Sequence, residues 1–241
     1  MMQAEKGART LAVDIGGSGI KVMILNESGA PQTERARVST PQPPKPDAVL
    51  TAIAELAAGQ GEFDRISVGF PGVVRGGRIG TAVNLDPSWI GFDLATTLSN
   101  RLGKPVRVAN DADIQGLGAV SGQGVELVIT LGTGFGSGLF LNGQLVPNLE
   151  LGHHEFRQGE TYEEQLGRTA LDKVGKKRWN QRLEKAIAAL QRLFNYDFLY
   201  IGGGNTNKVT VTLPSNAKIV PNVTGLLGGV ALWKDEGDRG S

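Results

Sequence analysis

The chain of 241 residues contains no cysteine and only two histidines. The absence of cysteine excludes disulfide bonds, thiolate catalysis and any zinc site with cysteine ligands. The two histidines, His153 and His154, are too few for a histidine-rich metal cage. Among metal sites, the sequence therefore leaves open only one built from oxygen ligands, which is the type that Mg²⁺ prefers.

Long apolar runs are also missing. No segment approaches the length that spans a bilayer, and the first ten residues lack the apolar core of a signal peptide. We therefore expect a soluble, cytoplasmic protein with no membrane partner. The net charge of +1 argues against nucleic acid as a partner. A hydrophobic content of 40% is ordinary for a folded chain of one large or two modest domains.

One segment departs from this neutral charge balance. Residues 168–192 contain eight basic and two acidic residues, a net charge of +6. Such a block is either the solvated face of a helix or a docking strip for a polyanion. The sequence alone leaves both interpretations open.

The 35 glycines cluster in turns. The apolar strand Leu11–Ile15 leads through Gly16–Gly19 into a second strand, and the pattern recurs where Glu126–Leu131 leads into Gly132–Gly138. Backbone N–H groups in such turns can converge on a phosphate, although plain hairpins have the same composition. Neither turn matches the dinucleotide fingerprint, and the chain has no P-loop motif. Two such hairpins predict a duplicated domain with a cleft between the copies.

Asn110 and Asp111 follow the short apolar strand Val106–Ala109 and precede a helix predicted to run to Val120. In an open α/β sheet this junction lies at the carboxyl edge, where ligands bind. A carboxylate there can meet a substrate hydroxyl, or it can merely cap the helix. The residues themselves do not decide between a catalytic base and a cap.

Further strands and helices alternate along the chain, which indicates an α/β layer. Asp47 is expected to cap a helix to about Ala58, and Thr81–Gly91 is expected to be a polar loop that carries Asn84 and Trp89. The other predicted elements are a strand from Ile66, helices at 93–102, 179–195 and 223–233, a strand from Phe198 that ends in Gly202–Gly204, and a frayed tail at 234–241.

Six motifs in this order resemble the ROK family of sugar kinases. They are DIGGSG (14–19), GFPG (69–72), NDAD (110–113), LGTGFGSG (131–138), ELGH (150–153) and IGGGN (201–205). Residues 81–91 and 143–153 are most similar to the polyphosphate glucokinases within that family. The resemblance covers about residues 10–233. It implies an α/β chain with the two-domain actin-like ATPase (ribonuclease H-like) fold, each domain a mixed sheet flanked by helices.

The resemblance also implies a role for each matching position. Asp111 would be the general base for the 6-hydroxyl of glucose, and Asp14 would hold Mg²⁺. Contacts to the sugar are expected from Asn110, Glu150, His153, Pro71, Gly72, Asn84 and Glu160. Donor phosphates are expected to contact Gly16, Gly17, Ser18, Gly19, Lys21, Gly132, Thr133 and Gly134, and Gly203, Gly204 and Asn205 would border an adenosine site.

The implied reaction is transfer of the terminal phosphate of polyphosphate or ATP to glucose. A strictly ATP-dependent glucokinase or glucomannokinase, and a non-catalytic sugar-binding homologue, are the alternatives. We expect a small N-terminal domain at 1–112, rejoined by a helix at 223–235, a large C-terminal domain at 113–222, and a homodimer. Two departures stand out: the family's cysteine-rich zinc motif is absent, and the first turn ends in Gly19 where many members have lysine.

Overall fold

The computed structural model describes residues 7–83, 85–221 and 224–233. The chain forms two compact units, one from residues up to Ile114 together with those from Gly225 onward, and one from Gln115 to Thr224. The N-terminal unit is the larger of the two by residue count. No helix within the described ranges is long and apolar enough to cross a membrane.

The N-terminal unit is built on a mixed five-stranded sheet with the order β3-β2-β1-β4-β7. β1 pairs antiparallel with β2 and parallel with β4, and β4 pairs parallel with β7. Its elements are β1 (Thr10–Ile15), β2 (Ile20–Leu25), β3 (Ala36–Val38), α1 (Pro46–Ala58), β4 (Arg65–Phe70), β5 (Val74–Arg75), β6 (Arg78–Ile79), a 3-10 turn (Pro87–Trp89), α2 (Leu94–Leu102) and β7 (Val106–Asn110).

The core of this unit forms where strand residues of one face meet the two helices. Val13 and Ile15 alternate with Asp14 on β1 and pack into this core. Trp89, which the sequence placed in a polar loop, is fully buried. Its ring contacts Phe70 with centroids 5.0 Å apart, and its indole N–H donates to the carbonyl of Pro44 at 2.8 Å. Trp89 is therefore a core residue.

The helix α3 (Asp111–Leu117) begins in the N-terminal unit and ends in the next one. The C-terminal unit repeats the sheet topology of the first, with the order β10-β9-β8-β13-β14. Its elements are β8 (Val125–Leu131), β9 (Phe135–Leu141), β10 (Gln144–Val146), a 3-10 turn (Leu151–His153), β11 (Glu155–Arg157), β12 (Glu160–Thr161), α4 (Tyr162–Leu166), α5 (Arg168–Phe194), β13 (Phe198–Gly202), a 3-10 turn (Thr206–Lys208) and β14 (Ala217–Ile219).

The long helix α5 packs its apolar stripe, with Trp179, Leu183 and Leu190, against this second sheet. It begins eleven residues before the predicted start at Trp179, because two helices join across Gly175, whose backbone is not helical. Most side chains of the basic block are exposed on α5, while Arg168 pairs with Asp172 at 2.9 Å.

Two further local predictions are wrong. Asp47 does not cap α1, because Pro46 occupies the first turn and Lys45 takes the cap position; the Asp47 carboxylate instead pairs with Arg101. The last helix is not continuous, since α6 (Thr224–Leu227) gives way to a 3-10 helix (Gly228–Trp233). A Cβ on Gly229 would approach Ser67 Cβ to 3.0 Å, so this close packing requires glycine. The predicted tail at 234–241 lies outside the described residues.

Candidate functional site

The junction between β7 and α3 is held by Asn110. Its Oδ1 accepts hydrogen bonds from the backbone N–H groups of Ala112 at 2.8 Å and Asp113 at 3.3 Å, and its Nδ2 donates to the carbonyl of Gly72 at 3.2 Å. Asn110 thus caps α3 and ties it to the turn after β4.

Asp111 is the first residue of α3 and is partly exposed. Its Oδ1 also accepts a hydrogen bond from the N–H of Ala112, at 2.8 Å. A Cβ on Gly69 would lie 3.4 Å from the Asp111 Cα, so the end of β4 is directly beside Asp111. The carboxylate is fixed at the carboxyl edge of the first sheet, where a ligand would bind. The residue thus contacts the first turn of α3 and also lies at the predicted ligand-binding edge.

Pro71 and Gly72 form the turn at the end of β4. The N–H of Gly72 donates to the carbonyl of Phe70 at 2.9 Å, and a Cβ on Gly72 would overlap the backbone of Thr81. The turn therefore depends on glycine. Asn84, the neighbouring predicted sugar contact, lies outside the described residues.

The first glycine turn joins β1 to β2 at the same edge. The N–H of Gly16 donates to the carbonyl of Gly19 at 3.0 Å, and the hydroxyl of the buried Thr40 donates to the carbonyl of Gly16 at 2.5 Å. Ser18 is exposed at the tip. In the space that a side chain at position 19 would take lies the guanidinium of Arg37.

Asp14 and Lys21 face each other across β1 and β2. Lys21 Nζ lies 2.7 Å from Asp14 Oδ2, so the predicted metal ligand and one predicted phosphate contact form an ion pair. No group of three or more acidic, histidine or cysteine side chains within the described residues is arranged to hold a metal ion. A single half-buried carboxylate fits a Mg²⁺ that is bound mainly by phosphate oxygens and water.

The second glycine turn joins β8 to β9. The N–H of Gly132 donates to the carbonyl of Gly134 at 3.1 Å, and the carbonyl of Thr133 accepts from the N–H of Arg168 at 3.0 Å. Asn205 ties the third glycine loop to this turn, because its N–H donates to the carbonyl of Leu131 and its Nδ2 to that of Gly132, both at 2.8 Å. The predicted phosphate and adenosine elements of this unit are therefore adjacent.

Gly203 fixes the shape of the third loop. Its φ of +94° favours glycine, and a Cβ there would overlap the backbone of Leu131. Gly204 is exposed beside it, with no atom close to the position of an added Cβ. The backbone of Gly204 is thus accessible to solvent.

Glu150 precedes the 3-10 turn and His153 is its last residue, and Glu150 Oε2 lies 3.4 Å from His153 Nε2. Burial raises the pKa of the Glu150 carboxyl, His153 lowers it, and the charge of Glu163 raises it further. The segment is held by Ser137, whose hydroxyl donates to the carbonyl of Leu149 at 2.5 Å and accepts from the N–H of Leu151 at 3.2 Å. These contacts orient His153 without a zinc site.

Glu163 is a residue that the sequence analysis did not single out. Its Oε2 accepts from the N–H of Phe135 at 3.1 Å, and it occupies the space beside Gly134 that a Cβ would need. It therefore supports the second glycine turn, and its charge also acts on Glu150. The predicted Glu160, by contrast, is exposed and bonds to the amide of Gln165. Thr161 and Glu164 form a capping box, a sequence signal that places Glu163 in the first turn of α4.

The predicted residues thus form one group in each unit, at corresponding ends of the two sheets. The N-terminal group contains Asp14, Gly16–Gly19, Lys21, Pro71, Gly72, Asn110 and Asp111. The C-terminal group contains Gly132–Gly134, Glu150, His153 and Gly203–Asn205, with Glu163 beside the second glycine turn.

Comparison with known proteins places this arrangement in a family. The model of the ROK family matches residues 10–162. The chain is 34% identical over 233 residues to the polyphosphate glucokinase of Mycobacterium tuberculosis, an alignment that covers 90% of this chain and 88% of the relative. It is 33% identical to the polyphosphate glucokinase of Mycobacterium leprae, covering 92% of this chain and 72% of that one.

Two solved structures are similar to this chain over more than nine tenths of its length. The inorganic polyphosphate/ATP-glucomannokinase of Arthrobacter sp. strain KM has a TM-score of 0.86 and 34% identity, and the match covers 95% of this chain and 100% of that one. A ROK family glucokinase from Streptomyces griseus, in complex with glucose and AMPPNP, has a TM-score of 0.77 at 21% identity, covers 93% of this chain and 98% of that one, and supports the fold alone. The expected two-domain actin-like ATPase fold is confirmed. This chain belongs to the ROK family.

Proposed function

We propose that this chain transfers the terminal phosphate of polyphosphate or ATP to the 6-hydroxyl of glucose. The observation that carries the proposal is the similarity to polyphosphate glucokinase along 90% of the chain at 34% identity. The likeness to the polyphosphate/ATP-glucomannokinase, at the same identity, supports both donors. Homodimer formation and a cytoplasmic location stay predictions from the sequence.

In the proposed reaction, Asp111 accepts the proton of the 6-hydroxyl. The sugar oxygen then forms a bond to the terminal phosphorus, and the bond from that phosphorus to the rest of the donor breaks. Asp111 suits this role because the strand β7 and the N–H of Ala112 hold its carboxylate at the carboxyl edge.

The sugar contacts are assigned to side chains with remaining hydrogen-bonding capacity. The Nδ2 of Asn110 carries two hydrogens, and one donates to Gly72, so the other can reach a sugar hydroxyl. Glu150 and His153 would bind the ring, with Pro71, Gly72 and Asn84 as further contacts. We give Glu160 a smaller part, because its carboxylate bonds to Gln165.

Donor binding is assigned to the glycine turns. Gly16–Gly19 and Gly132–Gly134 would present backbone N–H groups to phosphates, and Gly203–Asn205 would border the adenosine of ATP. Mg²⁺, which we propose as the metal, would neutralise charge on the phosphate oxygens. Asp14 would hold it through water, while Lys21 keeps Asp14 in place.

The test is a glucose phosphorylation assay with each donor in the presence of Mg²⁺. We expect glucose 6-phosphate to form with polyphosphate and with ATP. Product with ATP alone would reject the polyphosphate part of the proposal. Glucose binding without product from either donor would identify a sugar-binding protein that has lost catalysis.

The basic residues of α5 predict a difference between the two donors. Lys173, Lys176 and Lys177 are exposed on this helix, and a long polyanion gains from many weak cationic contacts where ATP needs few. We therefore expect kcat/KM for polyphosphate to fall more steeply with added salt than kcat/KM for ATP. Salt titrations of both reactions measure this difference, and parallel curves would remove α5 from donor binding.

A further inference from the structure

Arg37 covers the first glycine turn. An ideal Cβ on Gly19 would lie 2.7 Å from Arg37 Nε and 2.9 Å from Nη2, so the guanidinium occupies the space that glycine leaves open. Gly19 is itself buried, whereas Arg37 is exposed. The positively charged side chain of Arg37 therefore lies against the turn and is also exposed to solvent.

The strand β3 holds the backbone of Arg37 beside the turn. Arg37 pairs with Lys21 across the antiparallel strands β2 and β3. Two residues after β3, the buried Thr40 donates its hydroxyl to the carbonyl of Gly16. The strand that carries Arg37 is thus held beside the turn, which keeps the base of the side chain within reach of it.

Of the charged residues beside the turn, Arg37 is the cation that is available to bind an anion. Asp14, Lys21 and Arg37 form a row across β1, β2 and β3. The Asp14 carboxylate neutralises Lys21 at 2.7 Å. Within residues 7–83, 85–221 and 224–233, no carboxylate forms an ion pair with Arg37.

The strand order determines on which side of the turn Arg37 lies. In the order β3-β2-β1-β4-β7, the turn between β1 and β2 lies between the second and third strands, Asp111 follows β7 at one end, and Arg37 lies on β3 at the other. Neighbouring strands are spaced about 4.8 Å apart. Along the sheet, about one and a half strand spacings, or about 7 Å, therefore separate the turn from β3, and about two and a half, or about 12 Å, separate it from β7. The side chain of Arg37 spans the shorter of these two gaps.

We propose that Arg37 is a donor-binding residue that contacts the leaving phosphate groups, on the side of the turn opposite Asp111. The inference rests on the proposed function, in which the transferred phosphate lies between Asp111 and the turn. A guanidinium binds phosphate oxygens with two parallel hydrogen bonds and stays charged at any working pH. In both polyphosphate and ATP, a phosphoanhydride chain continues beyond the transferred phosphate. Arg37 therefore contacts the leaving phosphates of either donor.

The experiment compares the full chain with Arg37→Gln, Arg37→Lys and Arg35→Gln. Arg35 is exposed and immediately precedes β3, so its replacement removes the same charge beside the strand. Binding of tripolyphosphate is measured by calorimetry without glucose, and donor and glucose KM values are measured with polyphosphate and ATP. For Arg37→Gln we expect about tenfold weaker tripolyphosphate binding and about tenfold higher KM for both donors, with an unchanged glucose KM.

Arg35→Gln should match the unmodified protein, and Arg37→Lys should lie between the unmodified protein and Arg37→Gln, because lysine keeps the charge and loses the paired hydrogen bonds. Equal tripolyphosphate binding by Arg37→Gln and the unmodified protein would overturn the inference, as would the absence of any binding. If tripolyphosphate binding depends on Arg37 but no glucose 6-phosphate forms, the proposed function fails and the anion site stands. If glucose 6-phosphate forms and Arg37→Gln leaves donor KM unchanged, the proposed function stands and the inference fails.

Discussion

Replacement of Asp111 with asparagine is expected to reduce kcat for glucose phosphorylation about a thousandfold, within the range for loss of a general base. Glucose binding should change by less than about threefold, because an amide oxygen replaces the carboxylate oxygen that accepts from the N–H of Ala112. The amide cannot accept a proton at neutral pH, so only the chemical step is lost. Glucose affinity by calorimetry and kcat by a coupled assay measure the two effects separately.

The matched control for this variant is Asp47→Asn. Asp47 also lies in the first turn of a helix of the N-terminal unit, but its side chain is 85% exposed and pairs with Arg101. The same loss of one negative charge near a helix start should leave kcat within about twofold, because exposed ion pairs contribute little. If Asp111→Asn retained more than a tenth of the activity of the unmodified protein, Asp111 would not be the base.

Local signals predicted the hairpins and the polar junction well. An apolar strand, a glycine turn and another apolar strand can hardly form anything but a hairpin, and β1 with β2 and β8 with β9 follow that prediction. Asn110 was identified because a buried strand ends where a helix begins. These features depend on neighbouring residues in the chain, which is why the sequence was sufficient.

Other features depend on contacts between segments that are distant in the chain, and the sequence did not predict these features. Nothing near Trp89 indicates that its indole reaches the carbonyl of Pro44 in the core. In the 3-10 part of the last helix, Gly229 packs on Ser67, which is far away in the chain. Glu163 borders the glycine turn only because α4 folds back toward β9. Pair contacts of this kind have no local pattern.

Glu126 is the clearest example of a residue whose role the sequence did not predict. The sequence indicated only that a strand begins there. The side chain of Glu126 is fully buried, and its carboxylate accepts five hydrogen bonds. The donors are Tyr200 Oη at 2.7 Å, Ser121 N at 2.6 Å and Oγ at 2.8 Å, Gly122 N at 2.8 Å and Gln123 N at 3.2 Å. This carboxylate holds together the loop that follows α3.

Hydrogen bonding also sets the charge state of Glu126. Burial raises the pKa of its carboxyl, but the bonds from Tyr200, Ser121 and Gly122 together lower it more, so the pKa lies below the usual value. A carboxyl with a lowered pKa in the folded state contributes stability above the ordinary pKa of glutamate, about 4.3. That contribution is lost as the pH falls through the lower pKa of the folded state.

Replacement of Glu126 with glutamine is therefore expected to lower the free energy of unfolding at pH 7 by about 3 kcal/mol, because an NH₂ group then faces buried N–H donors. The melting temperature should fall by roughly 6–12 °C for a chain of this size. Tyr200→Phe, the matched control, removes one of the five bonds and should cost about 1 kcal/mol. Urea unfolding measures the totals, and amide hydrogen exchange at residues 121–123 measures the local loss.

The pH dependence separates the charged network from simple packing. The difference in unfolding free energy between the unmodified protein and Glu126→Gln should shrink below about pH 4, since protonation removes the charge that the donors bind. A packing defect alone would persist at every pH at which the protein folds. A difference that stayed constant on acidification, or a cost below about 0.5 kcal/mol at pH 7, would contradict the role of the ionised carboxylate.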